Sequence, residues 1–348
     1  MRISVAVCRG RMMTKERYDY IDTLRLFSIL FIVLSHFDGE CFAYMTGTSM
    51  IQTHLAKDGS LGLLMYGWTG KYALALLCVI SGFLVAMKYA DGKACDVGGF
   101  IITRYFRMML PVMANNLVFG IWLKISGENV DVSAFFREAV IPGLNGVNRH
   151  LWCIGSFLTG NILICLICYL QSRRPWAVWL YGVLVLVLVC LQDVWLLATV
   201  AGGICFEAAD RLKQKRLVNN WWLLGIVPIV WLLARGEEST EMYYRDIAAA
   251  VLIMTAFYCL PILQRIFACR FLKPLKKCCY SLFVVHGMTL FLVGPTWNLV
   301  QGWGIRSGAG IFISCFLILF LIDLAIAYVV YYLSEVKLYK VIIKRFFA

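Results

Sequence analysis

Three ionisable residues fall within one apolar segment near the start of the chain. Asp22 precedes Arg25 by three positions, and His36 follows Arg25 by eleven. Eleven helical steps of about 100° return to within roughly 20° of the start, so Arg25 and His36 share one face of a helix, with Asp22 on the same side. A histidine suits general-base chemistry, and an arginine paired with an aspartate suits the stabilisation of an anion.

The ten residues between Arg25 and His36 are apolar apart from two serines. Ten residues of helix rise only about 15 Å, half of a bilayer core, so a spanning helix must carry Arg25, His36 or both into the membrane. Charged groups at that depth cost at least a few kcal/mol each and usually face a protein interior or a water-filled cavity. The alternative is that Arg25 snorkels to the inner headgroups while His36 lies among the outer ones.

A second candidate site combines two arginines with a Ser-Gly pair. Arg104 and Arg107 are one helical turn apart at the start of an apolar segment, where two guanidinium groups and the helix dipole suit a phosphate-rich ligand. Ordinary anchoring at the inner headgroups explains the same arginines. Ser81 and Gly82 lie inside an apolar helix, where close helix packing alone explains them.

Two further ionisable residues, His286 and Asp323, fall at similar depth in consecutive apolar segments near the C-terminus. Antiparallel helices would bring them to the same level. We expect the two side chains to contact each other and to fix the two helices, a structural role that we favour over a catalytic one.

The composition predicts an all-α, polytopic membrane protein. The chain has 348 residues, of which 61% are hydrophobic, and apolar stretches recur from end to end. These stretches are longer than barrel strands and do not alternate, so helices are expected. We predict a single domain over 1–348 with about ten transmembrane helices, near residues 20–37, 67–87, 105–123, 151–170, 176–191, 194–208, 221–234, 246–264, 279–294 and 310–333.

The basic residues set the predicted orientation. The net charge is +13, but lysines and arginines concentrate in alternate loops, in the tail over 1–17 and in the C-terminal segment. This positive-inside pattern places both termini in the cytoplasm and argues for anionic lipid, not nucleic acid, as the partner of the basic residues. Only Gln192 and Asp193 separate the fifth and sixth spans, and one broken helix there would reverse the orientation of everything after it.

The remaining features exclude some functions and leave others open. The 14 cysteines show no ligand spacing, and no zinc or redox motif is present, so we expect no metal. The predicted outer loop over 124–150 contains a short amphipathic helix candidate, DVSAFFREAV, followed by the turn-rich PGLNGVN. This loop and the one over 38–66 either help to bind a substrate from outside or are plain connectors.

The order of the polar motifs resembles the membrane-bound acyltransferase 3 family, whose members acylate cell-surface glycans and related molecules. The resemblance covers the chain from Tyr18 to the terminal helix. It rests on Asp-x-x-Arg with a histidine eleven residues after the arginine, Ser-Gly-Phe-Leu (81–84), Arg-x-x-Arg-x-x-x-Pro (104–111), His-Leu-Trp (150–152), Tyr-Ser-x-x-x-x-His (280–286) and Ser-Glu (334–335).

The resemblance implies an O-acyltransferase of the plasma or inner membrane. It would transfer an acyl group, most simply acetyl from acetyl-CoA, from cytoplasmic acyl-CoA to a hydroxyl of an extracytoplasmic glycan or glycolipid. His36 would be the catalytic histidine, with Arg25 needed for activity and Asp22 holding Arg25. Arg104 and Arg107 would bind the acyl-CoA phosphates, and Ser81 and Gly82 would lie near the acyl path.

Other functions fit parts of the same pattern. Asp22, Arg25 and His36 together form what we call the ionisable stripe of the first helix. A transporter or exporter of a polar or anionic molecule would line its path with this same stripe. A non-catalytic scaffold needs no such stripe. A different type of membrane acyltransferase, with its histidine in a late helix, would make His286 the base, and an acyl-histidine intermediate is a further open route.

Overall fold

The computed structural model describes residues 19–41, 70–89, 96–144, 147–148, 150–214 and 240–347. Within these ranges the regular structure is helical throughout, with no strand, which confirms the predicted all-α class. The predicted tail over 1–17, the loop over 42–66 and the predicted span over 221–234 lie outside the described residues.

The described chain forms thirteen α-helices. The ionisable stripe lies on the first of them, and the Arg-x-x-Arg motif lies near the start of the third. The helices are α1 (Asp19–Cys41), α2 (Gly70–Tyr89), α3 (Val97–Ile125), α4 (Val132–Val140), α5 (Cys153–Arg173), α6 (Leu180–Leu191), α7 (Val194–Gln214), α8 (Thr240–Cys259), α9 (Pro261–Phe267), α10 (Lys273–Thr289), α11 (Val293–Gly302), α12 (Gly308–Tyr331) and α13 (Tyr339–Phe347).

Fewer helices are long and apolar enough to cross a membrane than the ten predicted. Among the described residues there are six such helices, or seven if the pair Tyr243–Cys259 and Pro261–Phe267, bent by 96°, is one span. Large apolar side chains are exposed along α6 and α12, for example Leu186 and Leu321, as expected for lipid-facing surfaces. The protein is therefore a multi-pass membrane protein; the full count of ten spans and the orientation of the termini stay predictions.

The segment around Gln192 is a turn between two separate helices. Gln192 has a left-handed backbone (φ 56°), which ends α6, and the Asp193 carboxylate accepts a hydrogen bond from the backbone N–H of Leu196 at the start of α7. The two helices pack against each other. The chain thus turns here between two packed helices, while the orientation of the spans that follow stays a prediction.

The closest helix crossing joins α2 and α7 and depends on two glycines. A Cβ atom on Gly82 would lie 1.9 Å from the Thr199 carbonyl oxygen, and one on Gly202 would lie 2.1 Å from the Val79 carbonyl oxygen. Neither contact leaves room for a methyl group, because backbone atoms of the partner helix occupy the space. Small residues thus allow the two backbones to approach, as at many helix crossings in membranes.

Candidate active site

A cavity of about 1290 Å³ lies at the end of the bundle where α1 and α10 begin. It exceeds the roughly 300–1,000 Å³ that holds a drug-sized ligand, so it has room for a nucleotide-sized molecule. Its walls come from α1, α2, α3, α5, α9, α10 and the segment after α12.

Positive charge dominates the cavity wall. Nine basic side chains line it against three acidic ones, Asp19, Asp22 and Glu335. Such an excess of cations around a concave site attracts an anion with several charges, such as a nucleotide phosphate group. The basic residues are Arg25, Lys88, Arg104, Arg107, Arg265, Arg270, Lys273, Lys276 and Lys277.

The start of α1 supplies the Asp22 and Arg25 side chains to this wall. An Arg25 guanidinium nitrogen lies 3.4 Å from an Asp22 carboxylate oxygen, one helical turn away. Both side chains are partly exposed to the cavity, so this ion pair orients the guanidinium more than it stabilises the fold. The structure therefore places this part of the stripe on the wall of an interior cavity.

Arg104 reaches the same cavity from α3 and is held there by α2. Its Nη2 donates a hydrogen bond of 2.8 Å to the Ser81 hydroxyl, which also accepts from the Asn161 side-chain amide at 3.0 Å. The buried Nε of Arg104 has no hydrogen-bond partner in the described structure. Arg107 lines the cavity one turn further along α3 and is more exposed. The guanidinium of Arg104 is thus fixed in position with donor capacity left for a ligand.

Gly82 has the close-packing role that its position inside an apolar helix allows. It faces the backbone of α7 at the close helix crossing and does not line the cavity, whereas its neighbour Ser81 does. Gly82 therefore has a packing role at this crossing, and its place near the acyl path stays a prediction.

The Tyr-Ser and Ser-Glu motifs meet on another wall of the cavity. The Tyr280 hydroxyl donates to the Met108 carbonyl oxygen at 2.9 Å, which ties α10 to α3. The Ser281 hydroxyl donates to a Glu335 carboxylate oxygen at 3.2 Å, which ties α10 to the segment after α12. These contacts give both motifs a structural role beside the basic cavity.

Three histidines from three separate segments form a cluster deeper in the bundle. The ring centroids of His36 and His150 are 4.0 Å apart, those of His36 and His286 are 5.3 Å apart, and those of His150 and His286 are 5.5 Å apart. His36 lies on α1, His286 lies on α10, and His150 lies in the loop before α5. The structure thus joins the predicted histidine of α1 to two others.

The contact predicted between the side chains of His286 and Asp323 is wrong. The Nδ1 of His286 lies 2.6 Å from the Phe283 carbonyl oxygen, and its Nε2 has no hydrogen-bond partner. Asp323 instead accepts from the Thr289 hydroxyl, which also bonds the His286 carbonyl oxygen at 3.0 Å. The two residues lie at similar depth, as predicted, but the ring of His286 turns toward the histidine cluster.

A buried polar network holds His150 in place. The Asn148 side chain donates to the Val284 carbonyl oxygen of α10 at 2.9 Å and accepts from the backbone N–H of His150 at 3.1 Å. The Glu138 carboxylate accepts from the backbone N–H groups of Val147 and Asn148. This network anchors the loop on α10 at Val284, two residues before His286.

Glu138 belongs to the short helix α4, which confirms the helix predicted within the loop. Burial raises the pKa of its carboxyl group, while hydrogen bonds from the backbone of Val147 and Asn148 and from the Asn116 side chain act in the opposite direction. His150, Asn148 and Glu138 were not predicted as site residues. His150 stood out only within the His-Leu-Trp motif, Glu138 within the amphipathic helix candidate and Asn148 within the turn-rich stretch.

We predict that G287A destabilises the protein because Gly287 lets the loop approach α10. A Cβ atom there would lie 2.4 Å from the Asn148 side-chain oxygen and 2.6 Å from Cδ2 of His150. Such overpacking costs about 1–3 kcal/mol, so the midpoint of thermal unfolding in detergent should fall. The matched control is G302A, whose Cβ would have nothing within 4 Å. Equal midpoints for the two variants would contradict this packing role.

Phe283 touches both the basic cavity and the histidine cluster. Its ring lines the cavity and lies 5.7 Å, between centroids, from the ring of His286. Phe157 packs against Phe283 and lines the cavity as well. A ligand that fills the cavity would therefore come within one aromatic ring of His286, a member of the cluster.

A comparison with protein families matches most of the chain to one family model. The family model Acyl_transf_3, described as an acyltransferase domain, matches residues 18–332. Searches of curated proteins and of solved structures found no match. The match spans both the basic cavity and the histidine cluster.

Proposed function

The chain belongs to the acyltransferase 3 family, and we propose that it is an acyl-CoA-dependent O-acyltransferase of the plasma or inner membrane. Its donor would be cytoplasmic acyl-CoA, with acetyl as the simplest group. Its acceptor would be a hydroxyl of an extracytoplasmic glycan or glycolipid. The observation that carries the proposal is a large basic cavity one aromatic ring away from a cluster of three histidines.

The donor would bind with its nucleotide phosphates among the cations of the cavity. Arg104, held by Ser81, and Arg107 present guanidinium groups one helical turn apart, which suits phosphate oxygens. Arg25, oriented by Asp22, would add positive charge nearer to the reacting end. Because basic residues concentrate on the predicted cytoplasmic side, the cavity is proposed to open toward the compartment that supplies acyl-CoA.

The acyl end of the donor would pass Phe283 to reach the histidines. Arg25 and His36 are eleven residues apart on α1, a rise of about 16 Å. The extended arm between the nucleotide and the thioester of acyl-CoA is suited to such a gap. The arm would have to displace the Phe283 ring, which packs between the cavity and His286.

His36 would act as the general base. A neutral imidazole accepts the proton of the acceptor hydroxyl while the hydroxyl oxygen attacks the thioester carbonyl carbon. The carbon–sulfur bond then breaks, and the imidazolium returns the proton to the thiolate of coenzyme A, so the reaction needs no net proton. General-base catalysis by a positioned side chain accelerates a reaction by about 10²–10⁴-fold.

Mass spectrometry of cell-surface glycans tests the proposal. Cells that carry the gene should show glycans heavier by the mass of one acyl ester, and cells without it should not. Purified protein in lipid vesicles should release free coenzyme A from acetyl-CoA only when the acceptor glycan is present. Transport of a polar solute without any dependence on acyl-CoA would favour the transporter hypothesis instead.

A further inference from the structure

We propose that His36, His150 and His286 form a binding site for Zn²⁺, and that bound Zn²⁺ reversibly inhibits acyl transfer. One ligand nitrogen from each ring can be chosen so that all three lie within 4.8 Å of one another. In a tetrahedral zinc site with Zn–N bonds of about 2.0–2.1 Å, the nitrogens are roughly 3.4 Å apart. Small side-chain rotations would close this difference, since two of the rings are only partly buried.

His286 has the orientation that zinc ligands usually have. Its Nδ1 lies 2.6 Å from the Phe283 carbonyl oxygen, and it is the ring nitrogen able to donate a proton to that acceptor. This bond leaves Nε2 with a lone pair, and that atom is buried without a partner in a side chain that is 0% exposed. Metal-ligating histidines are commonly fixed by such a bond to a backbone carbonyl.

The second ligand, His150, is also held before any metal binds. Asn148 bonds both the backbone of His150 and that of α10, and Gly287 leaves the space in which they meet. The loop therefore already holds His150 beside His286, so little further conformational entropy is lost when the metal binds. Sequence spacing gave no sign of a zinc motif because the three ligands are 114 and 136 positions apart along the chain.

The ligand chemistry favours zinc over the hard cations. Three imidazole nitrogens and no carboxylate suit Zn²⁺, Co²⁺, Ni²⁺ or Cu²⁺, whereas Mg²⁺ and Ca²⁺ require oxygen ligands. Three protein ligands leave a fourth position open.

The inhibitory effect rests on the proposed function. A metal ion bound by His36 occupies a ring nitrogen that would otherwise accept the proton of the acceptor hydroxyl. Zn²⁺ should therefore lower the rate of acyl transfer, and removal of the metal by a chelator should restore it. Binding itself does not depend on acyl transfer, so the two can be measured separately.

The experiment measures Zn²⁺ binding by calorimetry on purified, EDTA-stripped protein in lipid nanodiscs. We expect one equivalent per chain and an affinity about 10–100-fold weaker in H150Q and in N148A. C190S, a change at an exposed cysteine of α6 that is not part of the cluster, should bind as the unaltered protein does. H150Q and N148A leave the enclosed His286 unchanged, and circular dichroism and the unfolding midpoint check that both variants keep the fold.

The outcomes distinguish a failure of the proposed zinc site from a failure of the proposed acyl transfer. Binding that H150Q weakens, together with inhibition that EDTA reverses, supports the site and its effect. Zinc binding without any acyl transfer supports the site and contradicts the proposed function. Active protein that binds no Zn²⁺, binds it equally well in H150Q, or is equally active with the metal bound overturns the inference.

Discussion

H36A should fold normally and lose acyl transfer by about 10²–10⁴-fold. His36 is the histidine of the ionisable stripe, and its ring lies against both other rings of the cluster. Replacing it with alanine removes the proposed proton acceptor and leaves the proposed donor cavity untouched. The loss should therefore appear in kcat, with little change in the KM for acyl-CoA.

The matched control for this variant is S35A, the adjacent position on α1. Its side chain points about 100° away from that of His36, so it tests the effect of a substitution in this part of the helix without touching the cluster. We expect S35A to keep most of the activity, and both variants to unfold at similar temperatures. Full activity in H36A, measured as coenzyme A release, would contradict the role of His36 as the base.

R104Q should raise the KM for acyl-CoA by about tenfold to a hundredfold. The arginine presents a fixed guanidinium to the cavity, and a hydrogen bond between charged groups is worth about 1.5–3 kcal/mol. Because the phosphates lie far from the reacting carbonyl, kcat should change much less. Initial rates at varied acyl-CoA concentration measure both quantities.

Two controls identify what Arg104 binds. R211Q removes the same charge from an exposed side chain on α7 that does not line the cavity, and it should leave KM unchanged. Acyl-pantetheine, which lacks the nucleotide and its phosphates, should react equally well with R104Q and with the unaltered protein. An equal loss with both donors would mean that Arg104 supports the fold or the chemistry, not the phosphates.

The placement of the ionisable stripe was predictable because it depends on one helix. Asp22, Arg25 and His36 share a face by helical periodicity alone, and apolar neighbours place that face within a membrane span. In the structure, Asp22 and Arg25 line the cavity and His36 joins the cluster. The motif order likewise led to the family, since short polar motifs in an apolar chain are visible without a fold.

The number of crossings was less predictable, because hydropathy does not separate a spanning helix from a short or bent one. The predicted fifth span corresponds to a short apolar helix over Pro175–Leu191, and the eighth corresponds to two helices at 96°. Pro261 begins the second of these two helices, where its missing N–H is tolerated, so the break lies at the proline. Composition shows how much apolar surface a segment has, but not its direction.

What the sequence by itself determined is the helical membrane class, the stripe on α1, the Arg-x-x-Arg turn and the family. These properties depend on composition and on spacing within a single segment. The tertiary structure alone decided that Gly82 packs against α7, that His286 turns away from Asp323, and that His150 completes a three-histidine cluster. Those outcomes depend on which helices cross and how closely, and residues more than a hundred positions apart carry no shared periodicity that could reveal their contact.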